Sequence, residues 1–374
     1  MRFIHTSDWQ LGKPFGRAPE EARSALQDAR LDVIDTLAKA AQSNDAKVVL
    51  VAGDVFDSPE PGDRVYRQAL TRMKAAERVK WVLLPGNHDP ARSDGLWSRL
   101  KNDAPENLLT ALEPTPFEVL DGLWVLPAPL LYKRTIDDPT TWFDSGETPE
   151  RAFRIGLAHG PVVEFSSTQT ANNLIAVDRA KTAKLSYLAL GDWHGRRQID
   201  AYTHYCGTPE PDDFGREVTG MALLVDVSQK EAPDVVEIPT GRYFWRSETW
   251  DLRSGADLLR ELNGFAPEVD RRNLVARLKL SGLVSLSDRA EVRNVLENEF
   301  AHEIRWLDLQ AGDLFVRPTD DDMADIDLNG VLREVAERLS SMAAADGMVG
   351  RRAASALERL YIEQQKLQRR GVSE

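Results

Sequence analysis

The sequence predicts an α/β protein with a largely parallel central sheet and a second, smaller α+β region. Three observations carry this. Five short apolar runs each end in a segment bearing Asp, Asn or His; an amphipathic stretch separates the first two; and 374 residues are long for a single hydrophobic core.

Taken in order, Arg2–Thr6, Lys47–Ala52, Lys80–Leu84, Arg154–Ala158 and Tyr187–Leu190 are the five runs. Each is too short and too rich in apolar or β-branched residues to stand as a helix, so each reads as a strand. Between the first and second, Leu26, Ala29, Val33, Ile34, Leu37 and Ala40 recur at helical spacing, which predicts a strand-helix-strand crossover and parallel pairing. Ligands of such sheets bind outside the carboxyl ends of the strands. The segments Ser7-Asp8-Trp9-Gln10, Gly53-Asp54-Val55-Phe56-Asp57, Gly86-Asn87-His88-Asp89, His159-Gly160 and Gly191-Asp192-Trp193-His194 all lie there, so the strands are expected to present them on one rim of a sheet.

Met221–Val227 adds one more strand, and around Ile238–Arg246 the organisation changes. Leu274, Ala276, Leu278 and Leu280 alternate with Val275, Arg277 and Lys279, the pattern of a half-buried strand. A helical segment near Asp288–Phe300 and a short strand Glu303–Leu309 follow. The acidic stretch Thr319–Asp327 reads as a linker into a helical tail. There Leu328, Val331, Leu332, Val335 and Leu339 make one apolar stripe, and Leu357, Leu360, Tyr361 and Leu367 a looser second. The expected divisions are 1–244, 245–317 and 318–374. The tail is either a hairpin folded back on its own domain or a docking element.

A net charge of −13 argues against a protein that coats nucleic acid by bulk charge, although local arginines can still meet phosphate. The single cysteine, Cys206, excludes an intrachain disulfide and fits a reducing compartment. With no apolar run approaching ~18 residues and no charged-then-apolar leader, the expectation is a cytoplasmic protein with no membrane association.

A pair of divalent ions that clamps a phosphate ester needs a bridging carboxylate with mixed oxygen and imidazole ligands. Asp54 is the natural bridge. Alone, Gly-Asp-x-x-Asp is equally a turn or helix cap, and a lone histidine is more often a core or surface residue than a ligand. A strand end that presents Asn87, His88 and Asp89 consecutively is less ordinary, and all five segments in order make coincidence implausible.

That order resembles the calcineurin-like metallophosphoesterase superfamily. The opening His5-Thr6-Ser7-Asp8-Trp9, then Leu11-Gly12, and the later Gly207-Thr208-Pro209-Glu210 are similar to its DNA double-strand-break-repair exonuclease branch, the SbcD-like nucleases. The resemblance covers about residues 1–240. It implies a β-sandwich flanked by helices, with the α+β domain as a cap that helps engage DNA. It also implies one ion held by Asp8, Gln10, Asp54 and His194 and a second by Asp54, Asn87, His159 and Asp192. The family usually has histidine where this chain has Gln10 and Asp192. An amide and a carboxylate in place of two imidazoles favour Mn²⁺, or Mg²⁺, over Zn²⁺.

The resemblance further implies in-line attack of an activated water on phosphorus, without a covalent protein nucleophile. His88 would protonate the leaving oxygen or stabilise the transition state, and Asp57 would orient it through the second imidazole nitrogen. Lys13, Arg17, Arg92, Arg99, Arg196 and Arg197 are candidate DNA contacts beside the motifs. The C-terminal helices would dock on the coiled coil of an SMC-like ATPase, and family members commonly form homodimers. The leading reading is a two-metal DNA exonuclease or endonuclease in end processing or repair. Its alternatives are a stand-alone phosphoesterase acting on a small nucleotide or phosphoprotein, and a catalytically degenerate assembly component marked by Gln10 and Asp192.

Overall fold

A computed structural model of the chain describes residues 1–93, 95–162, 172–215, 219–325, 330–343, 345 and 347–371. It divides into two compact units, Met1–Phe244 and Trp245–Glu374.

The first unit contains strands β1 (Arg2–Thr6), β2 (Val48–Val51), β3 (Lys80–Leu83), β4 (Leu108–Thr110), β5 (Phe117–Leu120) and β6 (Leu123–Ala128). It continues with β7 (Phe153–His159), β8 (Tyr187–Gly191), β9 (Arg197–Gln198), β10 (Thr203–Tyr205), β11 (Met221–Asp226) and β12 (Asp234–Pro239). They form two six-stranded sheets, ordered β12-β11-β1-β2-β3-β4 and β5-β6-β7-β8-β10-β9. The predicted strands pair in parallel, β1 with β2, β2 with β3, and β7 with β8. They do not share one sheet: β1, β2 and β3 belong to the first and β7 and β8 to the second. Strand signals lie within each segment, whereas the choice of neighbour depends on distant partners such as β6 and β11.

The two sheets pack face to face. Phe3, Val48, Leu50, Ala52 and Val82 from the first meet Val125, Ile155, Leu157, Tyr187 and Ala189 from the second in one buried cluster. Alternate residues of the first sheet, including Ile4, Val49, Val51 and Trp81, turn outward. There they pack under the helices Glu20–Ser43 and Asp63–Ala75. The long helix buries Leu26, Ala29, Val33, Ile34 and Leu37 of the predicted stripe. Strand β2, buried at every position, is the continuous apolar run expected of a parallel strand covered on both faces.

His5 of β1 crosses the sandwich core. Its Nε2–H donates to the Leu190 carbonyl at 3.2 Å, and its Nδ1 accepts from the Tyr187 hydroxyl at 3.0 Å. A neutral ring satisfies both bonds. Burial, with a smaller contribution from nearby His204, holds its pKa down to about 3.

The second unit is built on β13 (Phe244–Leu252), β14 (Leu274–Val284) and β15 (Trp306–Val316), in that order in one sheet. Trp250, Leu258, Leu278, Leu296 and Phe300 share its core. β15 begins three residues later than the sequence pattern suggests, because Ala301–Glu303 completes a helical turn, and it extends to Val316 by pairing with β14 across a bulge. Within the acidic stretch, Asp320–Asp325 forms a helix; residues 326 and 327 lie outside the described residues. Asp322 is buried and accepts from the main-chain N–H groups of Leu286, Ser287 and Thr319. Val331–Ala343 and Met348–Gly371 form helices in which Ala336, Leu357 and Tyr361 pack with Leu286. Val331, Leu332 and Val335 of the predicted stripe stay exposed, Val331 at 77%. Leu328 and the Leu367 side chain lie outside the described residues.

Candidate metal centre

The chain leaves β1, β2 and β8 through turns that force side chains together. Asp8, Gln10, Asp54 and Asp192 all have positive φ, at 54°, 42°, 54° and 101°. Such backbone costs of order 1–3 kcal/mol per residue outside glycine and concentrates at functional sites. The loops after β1 and β2 run side by side, with Asp8 N–H donating to the Gly53 carbonyl, Gln10 N–H to Asp54 and Leu11 N–H to Val55. Gly53 is required twice over: its φ is +88°, and a Cβ there would overlap the His159 ring. A Cβ at Gly86 would overlap Asp54.

Asp8, Asp54 and His159 are buried and place donor atoms within 4.8 Å of one another, a group able to hold a cation. Two come from the first sheet and one from the second, so the seam between sheets carries the centre. His159 Nδ1–H donates to the Ala52 carbonyl at 2.8 Å. This directs Nε2 at Asp54 Oδ1 (3.5 Å) and Asp192 Oδ1 (3.7 Å). Burial pulls the imidazole pKa down, but the Asp54, Asp8 and Asp192 charges outweigh it and raise it to about 9. Asp192 is shifted upward, by burial first and then by Asp8 and Asp54, against the opposing pull of His159. Positive charge is therefore favoured where Nε2 points.

Among the described residues, two buried atoms there have no hydrogen-bond partner, His159 Nε2 and Asn87 Oδ1. Buried polar atoms are nearly always satisfied. The Asn87 amide donates from Nδ2 to Asp192 Oδ1 at 2.9 Å, which leaves its oxygen open. Once the ring yields its Nε2 proton to an arriving cation, that nitrogen and the Asn87 oxygen, beside three carboxylates, make the donor set a divalent ion requires. On this side the residues fit a metal.

The other side differs. His194 Nε2 is 3.9 Å from Asp8 Oδ1 and 3.3 Å from the Gln10 amide nitrogen. The Gln10 oxygen accepts instead from Lys13 Nζ at 3.2 Å. Lys13 also donates to Asp212 Oδ2 at 2.6 Å, while Asp212 Oδ1 is 3.4 Å from His194 Nδ1. Arg30, buried in the long helix, donates to the Trp9, Asp8 and Glu210 carbonyls and lies 3.5 Å from Asp212. Burial alone would lift the Asp212 carboxyl, but Arg30, His194 and Lys13 hold it far below the usual range. Burial lowers His194, yet the Asp212 hydrogen bond and the Asp8 charge bring its net shift upward.

His88 is more open. Its main-chain N–H donates to Asp54 Oδ1 at 2.9 Å, and its Nδ1–H donates to the main-chain carbonyl of Asp57 at 3.1 Å. The Asp57 carboxylate stands 3.9 Å from Nδ1, and His88 Nε2 is 4.0 Å from Asp54 Oδ2. Asp89 is buried, accepts from Phe56 and Gly86 N–H, and is pushed well up by burial and the nearby Asp54.

The structure brings Asp8, Gln10, Asp54, Asn87, His88, His159, Asp192 and His194 together. Of the candidate DNA contacts, Lys13 is engaged inside the centre. Arg99 pairs with Asp63 and lies over Tyr66, Arg196 pairs with Glu237, and Arg197 lies over Trp193. Arg17 and Arg92 are exposed. Sequence reasoning misses Asp212 and Arg30. The only signal for Asp212 is its place two residues after the Gly207–Glu210 segment.

A family model described as calcineurin-like phosphoesterase matches residues 1–227. The SbcD component of nuclease SbcCD from Bacillus subtilis (strain 168) is 32% identical over 92 residues, 24% of this chain and 22% of that protein. Its counterpart in Escherichia coli (strain K12) is 34% identical over 92 residues, 24% of this chain and 21% of that protein. In Rhodobacter capsulatus the counterpart is 32% identical over 118 residues, 30% of this chain and 25% of that protein. The chain thus spans a quarter or less of the length of these curated relatives. With more than half of its length matched and the centre set between its sheets, the chain belongs to the calcineurin-like phosphoesterase family.

Proposed function

We propose that this chain is a two-metal-dependent DNA phosphodiesterase, an exonuclease or endonuclease acting in DNA end processing or repair. The observation that carries the reading is a pair of buried atoms with no hydrogen-bond partner among the described residues, Asn87 Oδ1 and His159 Nε2, the latter pointing at Asp54 and Asp192. Asp54, Asn87, His159 and Asp192 would hold one ion, and Asp8, Gln10, Asp54 and His194 the other. Bound there, divalent ions polarise a phosphate diester and lower the pKa of the attacking water. With an oxygen-rich donor set the ions are Mn²⁺ or Mg²⁺.

The protein's own groups have separate tasks. Asp54 braces the His88 main chain through its 2.9 Å contact, and the Asp57 carbonyl fixes Nδ1–H, so Nε2 is the atom free to carry a proton to the leaving oxygen. Asp212 holds the His194 ring from behind, the role carboxylates commonly play for a ligand imidazole. DNA as substrate rests on the kinship with the SbcCD nucleases. Arg17 and Arg92, exposed beside the motifs, are the first phosphate contacts to try. An SMC-like coiled-coil ATPase is the partner we assign to the exposed Val331, Leu332 and Val335. Homodimerisation belongs to the same reading, as does a cytoplasmic location. Among the described residues no helix is long and apolar enough to cross a membrane.

The test is cleavage of a labelled linear duplex and a single strand with Mn²⁺, Mg²⁺ or chelator, comparing wild type with Asp54→Ala and His88→Ala. Metal-dependent cleavage lost in both variants supports the proposal. Turnover of a generic phosphodiester but no DNA, even with an ATPase partner added, sinks the nuclease assignment. Stoichiometric zinc in protein purified without added metal would overturn the preference for manganese or magnesium.

A further inference from the structure

We infer that Lys13 is a built-in cation of the centre and makes the Gln10–His194 side the weaker of the two ion positions. The inference rests on the two-metal reading above and concerns how unequally the positions fill.

The donors explain the inequality. An ammonium group can only donate, so Lys13 at 3.2 Å turns the Gln10 oxygen toward itself. The amide nitrogen, which has no lone pair to offer a metal, is left facing His194 Nε2 at 3.3 Å. For Gln10 to serve as a ligand its oxygen must leave Lys13. On the His159 side the Asn87 oxygen has no hydrogen-bond partner to leave among the described residues.

Charge works in the same direction. Asp212 is the extra carboxylate on the Gln10 side, and Lys13 at 2.6 Å and Arg30 at 3.5 Å already neutralise it. Around His159 Nε2 stand Asp54 and Asp192, with Asp8 also acting on the ring and no lysine or arginine paired to Asp54 or Asp192 among the described residues. Asp54 serves both positions, so the difference lies in the fixed ammonium, which an arriving dication meets on the Gln10 side and not beside Asp54 and Asp192 among the described residues. Two positions of one centre, joined by Asp54, would thus fill at different free metal concentrations.

The experiment is titration of chelator-stripped full-length protein with MnCl₂, read by calorimetry and by the electron paramagnetic resonance signal of free Mn²⁺. Wild type should bind one ion tightly and a second ~10-fold or more weakly, the scale of a nearby like charge in a partly buried site. Lys13→Met should tighten the second ion by a similar factor, and Lys13→Arg should leave it weak. Two equivalent ions in wild type would overturn the inference, as would unchanged binding in Lys13→Met. No bound Mn²⁺ at all would instead overturn the metal reading beneath it.

Discussion

The two sides of the centre use similar residues and reach opposite states. At His159 two polar atoms, Nε2 and the Asn87 oxygen, are buried with no hydrogen-bond partner among the described residues; at His194 the neighbouring Gln10 and Asp212 groups already have protein partners, through Lys13 and Arg30. Unsatisfied burial marks a place the fold reserves for something else. Satisfied burial marks a place where the protein has supplied its own counter-charge, and the difference is visible only when donors and acceptors are counted atom by atom.

The sharpest way to break the comparison is to delete each imidazole. His159→Ala should eliminate the tight ion and lower phosphodiester turnover by several kcal/mol of transition-state stabilisation, ~10³-fold or more. His194→Ala should retain one bound ion. Equal ion loss in both variants, measured by metal analysis after gel filtration, would erase the distinction. Asp212→Asn is expected to act less strongly, ~10- to 100-fold in metal affinity or turnover, and on the second ion alone. If Asp212→Asn strips both ions, the carboxylate serves the whole centre.

A third test probes the seam that joins the sides. The folded His5 pKa of about 3 lies below its ordinary value of 6.5, so its contribution to stability is complete above pH 6.5 and is lost as pH falls toward 3. The loss should approach ~1.4 kcal/mol per pH unit in that window. Denaturant unfolding at pH 7 and pH 4.5 should show the stability gap between wild type and His5→Gln shrinking at the lower pH. A gap that does not change with pH would remove His5 as a strut between the sheets. The smallest effect is expected from Asp57→Asn, since the main-chain carbonyl, not the carboxylate, holds His88 at 3.1 Å. A loss of turnover as large as that in His88→Ala would assign the work to the carboxylate after all.

Much of this candidate centre is legible in the sequence because its residues follow the ends of recognisable strands. The short, apolar and β-branched runs place Asp8, Asp54, Asn87, His159 and Asp192 at strand ends without any knowledge of tertiary contacts. The division of those strands between two sheets is not legible, since β7 and β8 find their neighbours through β6 and β10, and nothing local encodes that choice. Arg30 reads as one more charge on an amphipathic helix, and only packing shows it buried beneath the first loop. Gln10 is a ligand only as the family resemblance implies it; the amine three residues along, which claims its oxygen, is a side-chain matter that spacing does not reveal.

The left-handed backbone at Asp8, Gln10, Asp54 and Asp192 also sets what variation these positions tolerate. Asparagine and glycine accept that conformation, whereas valine, isoleucine and threonine resist it. In a saturation library, β-branched variants would disappear at the level of soluble expression, before any assay of chemistry. Asparagine variants would survive as folded, inactive protein. Descendants of this chain that lose activity are thus expected to drift first through asparagine, keeping the architecture intact while the chemistry lapses.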